Sequence, residues 1–221
     1  MSFQVEGKVA VVTGGSSGIG LAAVEILVAE GAKVAWCGRD EQRLVESKLY
    51  ILEKYPHAHV FTQVCNVLDK EDVKNFAQTV KQHLGNVDML INNAGQGRVS
   101  TFENTQDEDW MKEIELKYFS VLHPIRAFLV DLKNSAIGSV TNVNSLLALQ
   151  PEPHMIATSS ARAALLNLTH SLAHEFIQYN VRVNSILLGM VESAQWKRRY
   201  ETRSDPNQSW QDWTANIAKK R

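Results

Sequence analysis

The sequence predicts an α/β fold with one doubly wound parallel sheet, and three observations support this prediction. Short apolar, β-branched segments alternate with longer amphipathic segments, as in parallel strands joined by right-handed helical crossovers. A glycine-rich turn separates the first strand segment from the first helix segment. The chain has 221 residues, of which 44% are hydrophobic, so we expect a single well-buried domain.

Six strand segments are predicted because each is short, apolar and followed by polar residues or glycine; they are Lys8–Thr13, Lys33–Trp36, His59–Gln63, Met89–Asn92, Ser139–Val143 and Arg182–Leu187. The amphipathic segments between them predict helices at Ile19–Glu30, Glu41–Lys54, Lys70–His83, Asp107–Asp131 and Met155–Tyr179. Pro124 predicts a break in the fourth helix, since proline removes a backbone donor. After the last strand the sequence becomes polar, with a further candidate helix from Ser209 to Lys219.

Composition narrows the range of partners. A net charge of -1 and a pI near 6.7 provide no basic field for nucleic acid or an anionic membrane. No apolar run approaches the roughly 18 residues that a membrane-spanning helix needs. Cys37 and Cys65 both lie in apolar, strand-like segments, which favours buried thiols in a reducing compartment. We therefore expect a cytoplasmic protein that binds a small molecule and no metal, nucleic acid or membrane.

The turn after the first strand has the sequence Thr13-Gly14-Gly15-Ser16-Ser17-Gly18-Ile19-Gly20. Its glycines allow a tight turn and a close approach of backbone N–H groups to a pyrophosphate, and the following helix adds its N-terminal partial positive charge. The alternative is an ordinary strand-to-helix turn that uses glycine for positive φ. The strand before the turn and the helix after it favour the phosphate site.

The spacing of Thr13, Gly14, Gly18 and Gly20 resembles the TGxxxGxG element of the short-chain dehydrogenase/reductase family. Asn92-Asn93-Ala94-Gly95 after the fourth strand resembles that family's NNAG element. The resemblance extends from Lys8 to about Ser193 and implies a single-domain Rossmann fold with a nicotinamide dinucleotide across the carboxyl ends of the strands. It assigns residues 1–193 to the dinucleotide-binding domain and residues 194–221 to a substrate-lid extension of the same domain.

The end of the second strand indicates which dinucleotide is bound. Gly38-Arg39 follows this strand segment, at the place where NAD-binding proteins usually carry an acid for the ribose hydroxyls and where a 2′-phosphate requires cations. This pattern favours NADP(H) over NAD(H). In the alternative interpretation Arg39 is a solvated turn residue and Asp40 caps the next helix. The resemblance implies further cofactor contacts from Gly14, Ser16, Ser17, Gly18, Ile19, Gly20, Asn66, Val67, Asn93, Ala94, Gly95, Arg162, Gly189 and Val191.

The resemblance also locates the catalytic positions, and most of them are replaced. The family's serine is retained as Ser145, whereas its tyrosine, lysine and asparagine positions fall on Thr158, Arg162 and Lys117. A phenol with a pKa of about 10 can be brought toward neutrality by a nearby cation, but an aliphatic hydroxyl cannot. Thr158 can therefore only orient, and Arg162 can donate hydrogen bonds but cannot relay protons.

Two residues are candidates for the missing acid. Lys117 reaches the cleft if its helix places it at the asparagine position, and is otherwise a solvated lysine. His154 lies in a loop before the fifth helix and is of the residue type most often used for proton transfer, although a lone loop histidine is more often at the surface. Tyr118 is expected to point away from Lys117 and to pack in the core.

Two functions follow from these assignments. The first is an NADP(H)-dependent oxidoreductase that interconverts a carbonyl and a hydroxyl group, with Ser145 orienting the substrate oxygen, Arg162 on the nicotinamide ribose and Lys117 or His154 as the proton donor. The alternative is a dinucleotide-binding protein without redox turnover, acting as a sensor or regulatory subunit. The cations of Trp196-Lys197-Arg198-Arg199-Tyr200 indicate either an anionic substrate group or a solvated helix face.

Self-association is predicted through the helix that begins near Met155. Small residues on this helix allow close approach of a second helix; they are Ala157, Ala161, Ala163 and Ala164. Family members commonly pair this helix across a two-fold axis. We therefore expect a homodimer or homotetramer, the dimer being the more strongly supported of the two.

Overall fold

The computed structural model describes residues 4–189, 191, 200–201, 207 and 209–212. The strands are β1 Val9–Thr13, β2 Lys33–Gly38, β3 Val60–Val64, β4 Met89–Asn92, β5 Ser139–Ser145 and β6 Arg182–Leu188. The helices are α1 Gly18–Ala29, α2 Glu41–Lys54, α3 Lys70–Leu84, α4 Asp107–Asn134 and α5 Ile156–Phe176. Short 3₁₀ turns follow β5 and α5, at Leu146–Ala148 and Ile177–Tyr179.

The strands form one six-stranded sheet in the order β3-β2-β1-β4-β5-β6. The pairs β1–β2, β1–β4, β2–β3 and β4–β5 are parallel. The chain therefore winds outward from β1 in one direction and then from β4 in the other, which confirms the predicted doubly wound α/β fold. Residues 1–187 form one compact unit and residues 188–221 a second.

Both faces of the sheet are covered by apolar side chains. In β1, Val9 and Val11 belong to one buried cluster, and Ala10 and Val12 belong to the other. The first cluster takes its helical residues from α3, α4 and α5, and the second takes them from α1 and α2. This explains why all five residues of β1 are buried and why the strands read as continuous apolar segments. Cys37 and Cys65 are free thiols buried in the first cluster, as predicted.

Helix α4 runs without interruption from Asp107 to Asn134 with Pro124 inside it, so the predicted break is wrong. Pro124 is buried together with Val121, Ile125 and Phe128 on the inward face of the helix. Burial of this apolar face offsets the loss of one backbone hydrogen bond. In the part of the chain that the structure describes, none of the helices combines the length and the apolar character needed to cross a membrane.

The carboxyl ends of β1, β4 and β5 lie side by side. Thr13 pairs with Asn92 in the register of β1 and β4, and Asn92 pairs with Asn142 in the register of β4 and β5. The strand order reverses between β1 and β4, and an open α/β sheet places its ligand in the crevice at this point. The segments that follow these three strands carry most of the predicted site residues.

Candidate active site

The glycine-rich turn is packed so closely that side chains cannot be added to it. A Cβ atom on Gly20 would lie 2.2 Å from the carbonyl oxygen of Gly14, and one on Gly14 would lie 2.9 Å from Cα of Ala94. Gly14 and Gly18 also have positive φ angles of 64° and 55°. These close contacts and positive φ angles are compatible with a phosphate cradle, and they explain why glycine occupies these positions.

The N-terminus of α1 is open to an anion. Ser17 occupies the N-cap position in an extended conformation, and its side chain makes no capping hydrogen bond to the described backbone. The first turn of α1 carries no acidic residue. Its first N–H groups therefore keep their hydrogen-bonding capacity and positive potential for a ligand, which is the feature that binds pyrophosphate in dinucleotide-binding folds.

Asn93, which directly follows β4, stabilises the glycine-rich turn by hydrogen bonds. Its side-chain Nδ2 donates to the carbonyl oxygens of Thr13 and Gly14 at 3.1 and 2.9 Å, and its backbone N–H donates to Oγ1 of Thr13 at 3.0 Å. The N–H of Ala94 donates to the same hydroxyl at 3.1 Å. The side chain of Asn93 therefore fixes the shape of the turn, and the segment after it is held beside the cradle.

The residues after β2 are consistent with both interpretations of Arg39, as a contact of a 2′-phosphate and as a solvated turn residue before the helix cap Asp40. Asp40 caps α2, since its Oδ1 accepts from the N–H of Arg43 at 3.1 Å. Arg39 is exposed, and a Cβ on Gly38 would lie 3.2 Å from Oγ of Ser16. A cap at Asp40 does not occupy the guanidinium of Arg39. Ser16 and Arg39 thus belong to adjoining segments at one corner of the cradle.

The loop after β3 lies beside that corner, because the N–H of Cys65 donates to the carbonyl oxygen of Gly38 at 2.9 Å. Asn66 accepts from the N–H of Leu68 through Oδ1 at 3.2 Å. The carbonyl oxygen of Val67 lies 3.1 Å from Nδ1 of His123. Asn66 and Val67, two of the cofactor contacts that the resemblance implies, are therefore held in a turn next to Gly38.

Ser145 ends β5 and begins the 3₁₀ turn that follows. Its Oγ accepts from the N–H of Leu147 at 3.3 Å, and its own N–H donates to Oδ1 of Asn144 at 2.9 Å. Because Oγ acts as the acceptor in the first contact, its hydroxyl proton remains available to a substrate oxygen.

Arg162 lies on α5 beside the NNAG segment. Its Nη1 donates to the carbonyl oxygen of Val143 at 2.9 Å, and a Cβ on Gly95 would lie 3.8 Å from Nη2. Burial lowers the pKa of Arg162 to about 10, and the negative charge of Glu113 partly opposes that shift. The guanidinium remains charged at neutral pH and lies next to Gly95.

Lys117 is buried, with 2% of its surface exposed, so the solvated-lysine alternative is wrong. Its Nζ donates to the carbonyl oxygen of Gln96 at 2.8 Å and to Oε2 of Glu113 at 3.0 Å. Burial and the positive charge of Arg162 lower the pKa of Lys117 to about 8, while Glu113 raises it. An ammonium group with that pKa can donate a proton near neutral pH.

The Thr158 hydroxyl faces the same carboxylate. Its Oγ1 donates to Oε2 of Glu113 at 2.7 Å and accepts from the N–H of Arg98 at 3.0 Å. Sequence reasoning named Thr158 and Lys117 but missed Glu113, which lies one helical turn before Lys117. The spacing Glu-x-x-x-Lys on one helix would have indicated the pair, yet it is also typical of solvated helix faces.

Among the remaining candidate residues, His154 and Tyr118 contact groups other than Lys117, Glu113 and Thr158. The side chain of His154 is 57% exposed and pairs with Glu152 at 3.1 Å, as expected of a surface histidine. Tyr118 is half-buried and donates to the carbonyl oxygen of Ala164 at 3.2 Å, so it packs between α4 and α5. Gly189 and Val191 follow β6. Residues 196–199 of the predicted lid and residues 213–219 of the candidate C-terminal helix lie outside the described residues.

A glycine cradle at a strand-order reversal and an uncapped helix N-terminus define the class of protein. It is a dinucleotide-binding protein of the Rossmann type. Residues 8–204 match the family model of the short chain dehydrogenases. The chain belongs to that family and is an oxidoreductase.

Similar proteins give the same classification. The chain is 34% identical to an uncharacterized oxidoreductase of Staphylococcus saprophyticus over 190 residues, covering 86% of this chain and 81% of that protein. It is 53% identical to an NADPH-bound short chain oxidoreductase of Pseudomonas aeruginosa PAO1 described as containing an atypical catalytic center, with a TM-score of 0.91 over 96% of this chain and 80% of that one. L-sorbose reductase of Gluconobacter frateurii, complexed with NADPH and L-sorbose, is 31% identical with a TM-score of 0.93, covering 100% of this chain and 84% of that one.

Proposed function

We propose that the protein is an NADP(H)-dependent oxidoreductase that interconverts a carbonyl and a hydroxyl group, with Lys117 as the proton donor. The observation that carries this proposal is the buried Lys117 ammonium group, held beside Arg162 and the NNAG segment with a pKa of about 8. Bound NADPH would supply the hydride, with its two electrons, for the carbonyl carbon. The chain must then supply one proton to the carbonyl oxygen.

In this proposal Lys117 supplies the proton for the carbonyl oxygen, and Thr158 does not. Its ammonium group has three protons, two of which are directed to Gln96 and Glu113, and the proposal assigns the third to a substrate oxygen. Proton donation leaves a neutral amine, which water reprotonates before the next turnover. Ser145 donates a second hydrogen bond to the same oxygen, and Arg162 donates to the ribose and keeps positive charge in the cleft.

The cradle supports a phosphate-bearing dinucleotide, and the corner formed by Arg39 and Ser16 supports NADP(H) over NAD(H). The Pseudomonas and Gluconobacter proteins were each solved with NADPH. Cofactor contacts from Gly189 and Val191, a cytoplasmic location and an anionic substrate group recognised by the cations of residues 197–199 belong to the same proposal.

The proposal and its alternative, a dinucleotide sensor without turnover, differ in one measurement. NADPH affinity is measured first by calorimetry, and NADPH oxidation is then followed by absorbance with a panel of ketones, diketones and keto sugars. Turnover of any panel member above the rate without substrate supports the oxidoreductase. Tight binding of NADPH with no turnover of any compound, in either direction, supports the sensor.

Arg39→Ala is expected to reduce the preference for NADPH over NADH by at least about tenfold, because a charge-assisted bond to the 2′-phosphate contributes about 1.5–3 kcal/mol. The ratio of the two dissociation constants, measured by calorimetry, reports the change. Arg126→Ala is the control, since Arg126 is an exposed arginine on α4. An unchanged ratio in the Arg39 variant would remove this residue from the site.

The dimer proposal needs a corrected contact face. Ala157 and Ala161 are each 1% exposed within the single chain, so they pack inward and are not available to a partner helix. Ala163 is exposed and Ala164 half-buried, and α4 exposes the apolar side chains of Met111, Ile114 and Phe119. The outward face of α5 at Ala163, together with α4, is therefore the proposed contact between two copies.

Ala163→Arg is expected to convert a dimer into a monomer, because a long charged side chain prevents close helix approach and is costly to desolvate. Light scattering at micromolar concentration measures the mass. Ala29→Arg, at the exposed last residue of α1, should leave the mass unchanged. A monomeric wild-type protein would contradict the proposed assembly.

A further inference from the structure

Glu113 is a buried acid that has no counterpart among the predicted catalytic positions. It is 4% exposed and lies on the inward face of α4. One oxygen, Oε2, accepts from Nζ of Lys117 at 3.0 Å and from Oγ1 of Thr158 at 2.7 Å. A buried carboxylate is costly unless it is paired and hydrogen-bonded, and both conditions are met by residues at positions where the family has its catalytic groups.

The hydrogen bonds of Thr158 determine the direction of its hydroxyl proton. Oγ1 accepts from the N–H of Arg98 at 3.0 Å, and it lies 2.7 Å from the Glu113 carboxylate and 3.2 Å from the carbonyl oxygen of Arg98. A hydroxyl has one proton, and the shorter contact to the charged acceptor is the stronger one. Thr158 therefore donates to Glu113, and its proton is not directed to a substrate.

The charges around Lys117 show how the Glu113 carboxylate affects the protonation of Lys117. Arg162 on α5 contributes a positive charge that disfavours the ammonium form, and Glu113 on α4 contributes a negative charge that favours it. The loop after β4 contributes Arg98, which is itself paired with Asp109 at the start of α4 at 2.6 Å. Among these groups, Glu113 is the negative charge that is hydrogen-bonded to the Lys117 ammonium group.

We infer that Glu113 is a positioning residue, which fixes the Lys117 ammonium group in the cleft and keeps it protonated, and that Thr158 acts by anchoring the Glu113 carboxylate. This inference rests on the proposed role of Lys117. It assigns the Thr158 position to support of the proton donor, and not to contact with the substrate.

The direct test is a titration of Lys117 by NMR in protein labelled with ¹³C at lysine Cε, which does not depend on turnover. Glu113→Gln keeps the size of the side chain and an acceptor oxygen but removes the negative charge. The Lys117 pKa is expected to fall by at least about one unit, because an opposite charge at hydrogen-bond distance stabilises the ammonium form. Glu115→Gln, an exposed acid two residues further along α4, is the matched control and should cause no such shift.

A kinetic readout follows if the protein turns over a substrate. In Glu113→Gln the fall of kcat for carbonyl reduction with rising pH should move to lower pH by the same amount, with kcat approaching that of the wild type at low pH and KM for NADPH unchanged. A merely structural role would lower kcat at all pH values without moving the profile. Glu113→Asp should move the profile less than Glu113→Gln, since it restores the charge at a longer distance.

The outcomes separate this inference from the proposed function. If the NMR titration of Lys117 is unchanged in Glu113→Gln, the inference is wrong even if the enzyme is active. If the titration shifts as expected but neither protein turns over any carbonyl, Glu113 controls the charge of Lys117 and the proposed function is wrong. Should Glu113→Gln not fold, the titration of Glu113→Met, which also removes the charge, decides, and an unchanged Lys117 pKa in that variant overturns the inference.

Discussion

Lys117→Met is expected to lower kcat for carbonyl reduction by about 10²-fold or more, because a positioned acid typically contributes 10²–10⁴-fold. Methionine fills a similar volume without a proton to donate. The variant leaves the buried carboxylate of Glu113 without its ammonium partner, so Glu113→Gln with Lys117→Met is made as well to relieve that cost. The measurement is steady-state NADPH oxidation at saturating substrate, and NADPH affinity should change little.

The pH dependence of kcat tests whether Lys117 is the acid. The reduction step needs the ammonium form, so kcat of the wild type should be constant at lower pH and fall as the pH rises through the Lys117 pKa of about 8. Lys117→Met should lose this fall. Lys112→Met is the control, since Lys112 lies on the same helix with 68% of its side chain exposed, and it should keep both rate and profile. A full wild-type rate in Lys117→Met would make His154 the next candidate.

Gly20→Ala is expected to weaken NADPH binding by about 100-fold. The new Cβ would lie 2.2 Å from the carbonyl oxygen of Gly14 and 2.5 Å from Nδ2 of Asn93, so the cradle must shift. Displacing two charge-assisted bonds to the pyrophosphate, each contributing about 1.5–3 kcal/mol, costs at least about 3 kcal/mol. Calorimetry with NADPH measures the loss, and thermal unfolding reports the accompanying destabilisation.

Gly85→Ala separates the effect on binding from general destabilisation. Gly85 has a φ of +97°, and among the described residues a Cβ added there would meet no atom within 4 Å apart from its chain neighbours. Alanine at this position is therefore strained but meets no steric clash. Both variants should unfold at lower temperature than the wild type, whereas only Gly20→Ala should bind NADPH more weakly. Equal NADPH affinities in the two variants would argue against the cradle assignment.

The fold was predictable because its main signals are local. Helix α2 and strand β4 begin and end at the predicted residues; an aspartate cap marks the start of α2, and apolar residues followed by Asn92 mark β4. Most other boundaries differ by one to three residues, since helix ends and strand ends depend on tertiary contacts. The wrong break at Pro124 has the same origin, because the packing that keeps α4 intact involves residues distant in sequence.

The site was predictable only where it follows a motif. The family pattern gave Ser145, Thr158, Arg162 and Lys117 as candidates, and in the structure Lys117 and Thr158 both donate hydrogen bonds to Glu113. Glu113 was missed because nothing in a single sequence distinguishes a buried Glu-Lys pair from a solvated one. Its significance arises only when α4 and α5 pack together, which brings Thr158 within 2.7 Å of a residue 45 positions away in the chain.

The hydrogen bonds from Asn93 to the cradle have a consequence for the energetics of cofactor capture. The turn is locked by contacts within the protein itself, to Thr13 and Gly14, and not by contacts that a ligand must bring. Ordering a loop on binding costs about 1–2 kcal/mol of conformational entropy per residue, and a turn that is already rigid avoids most of that cost. A pyrophosphate bound at this turn would find a preformed site. Little of the free energy of its contacts would then be spent on ordering the turn, so the affinity would be higher.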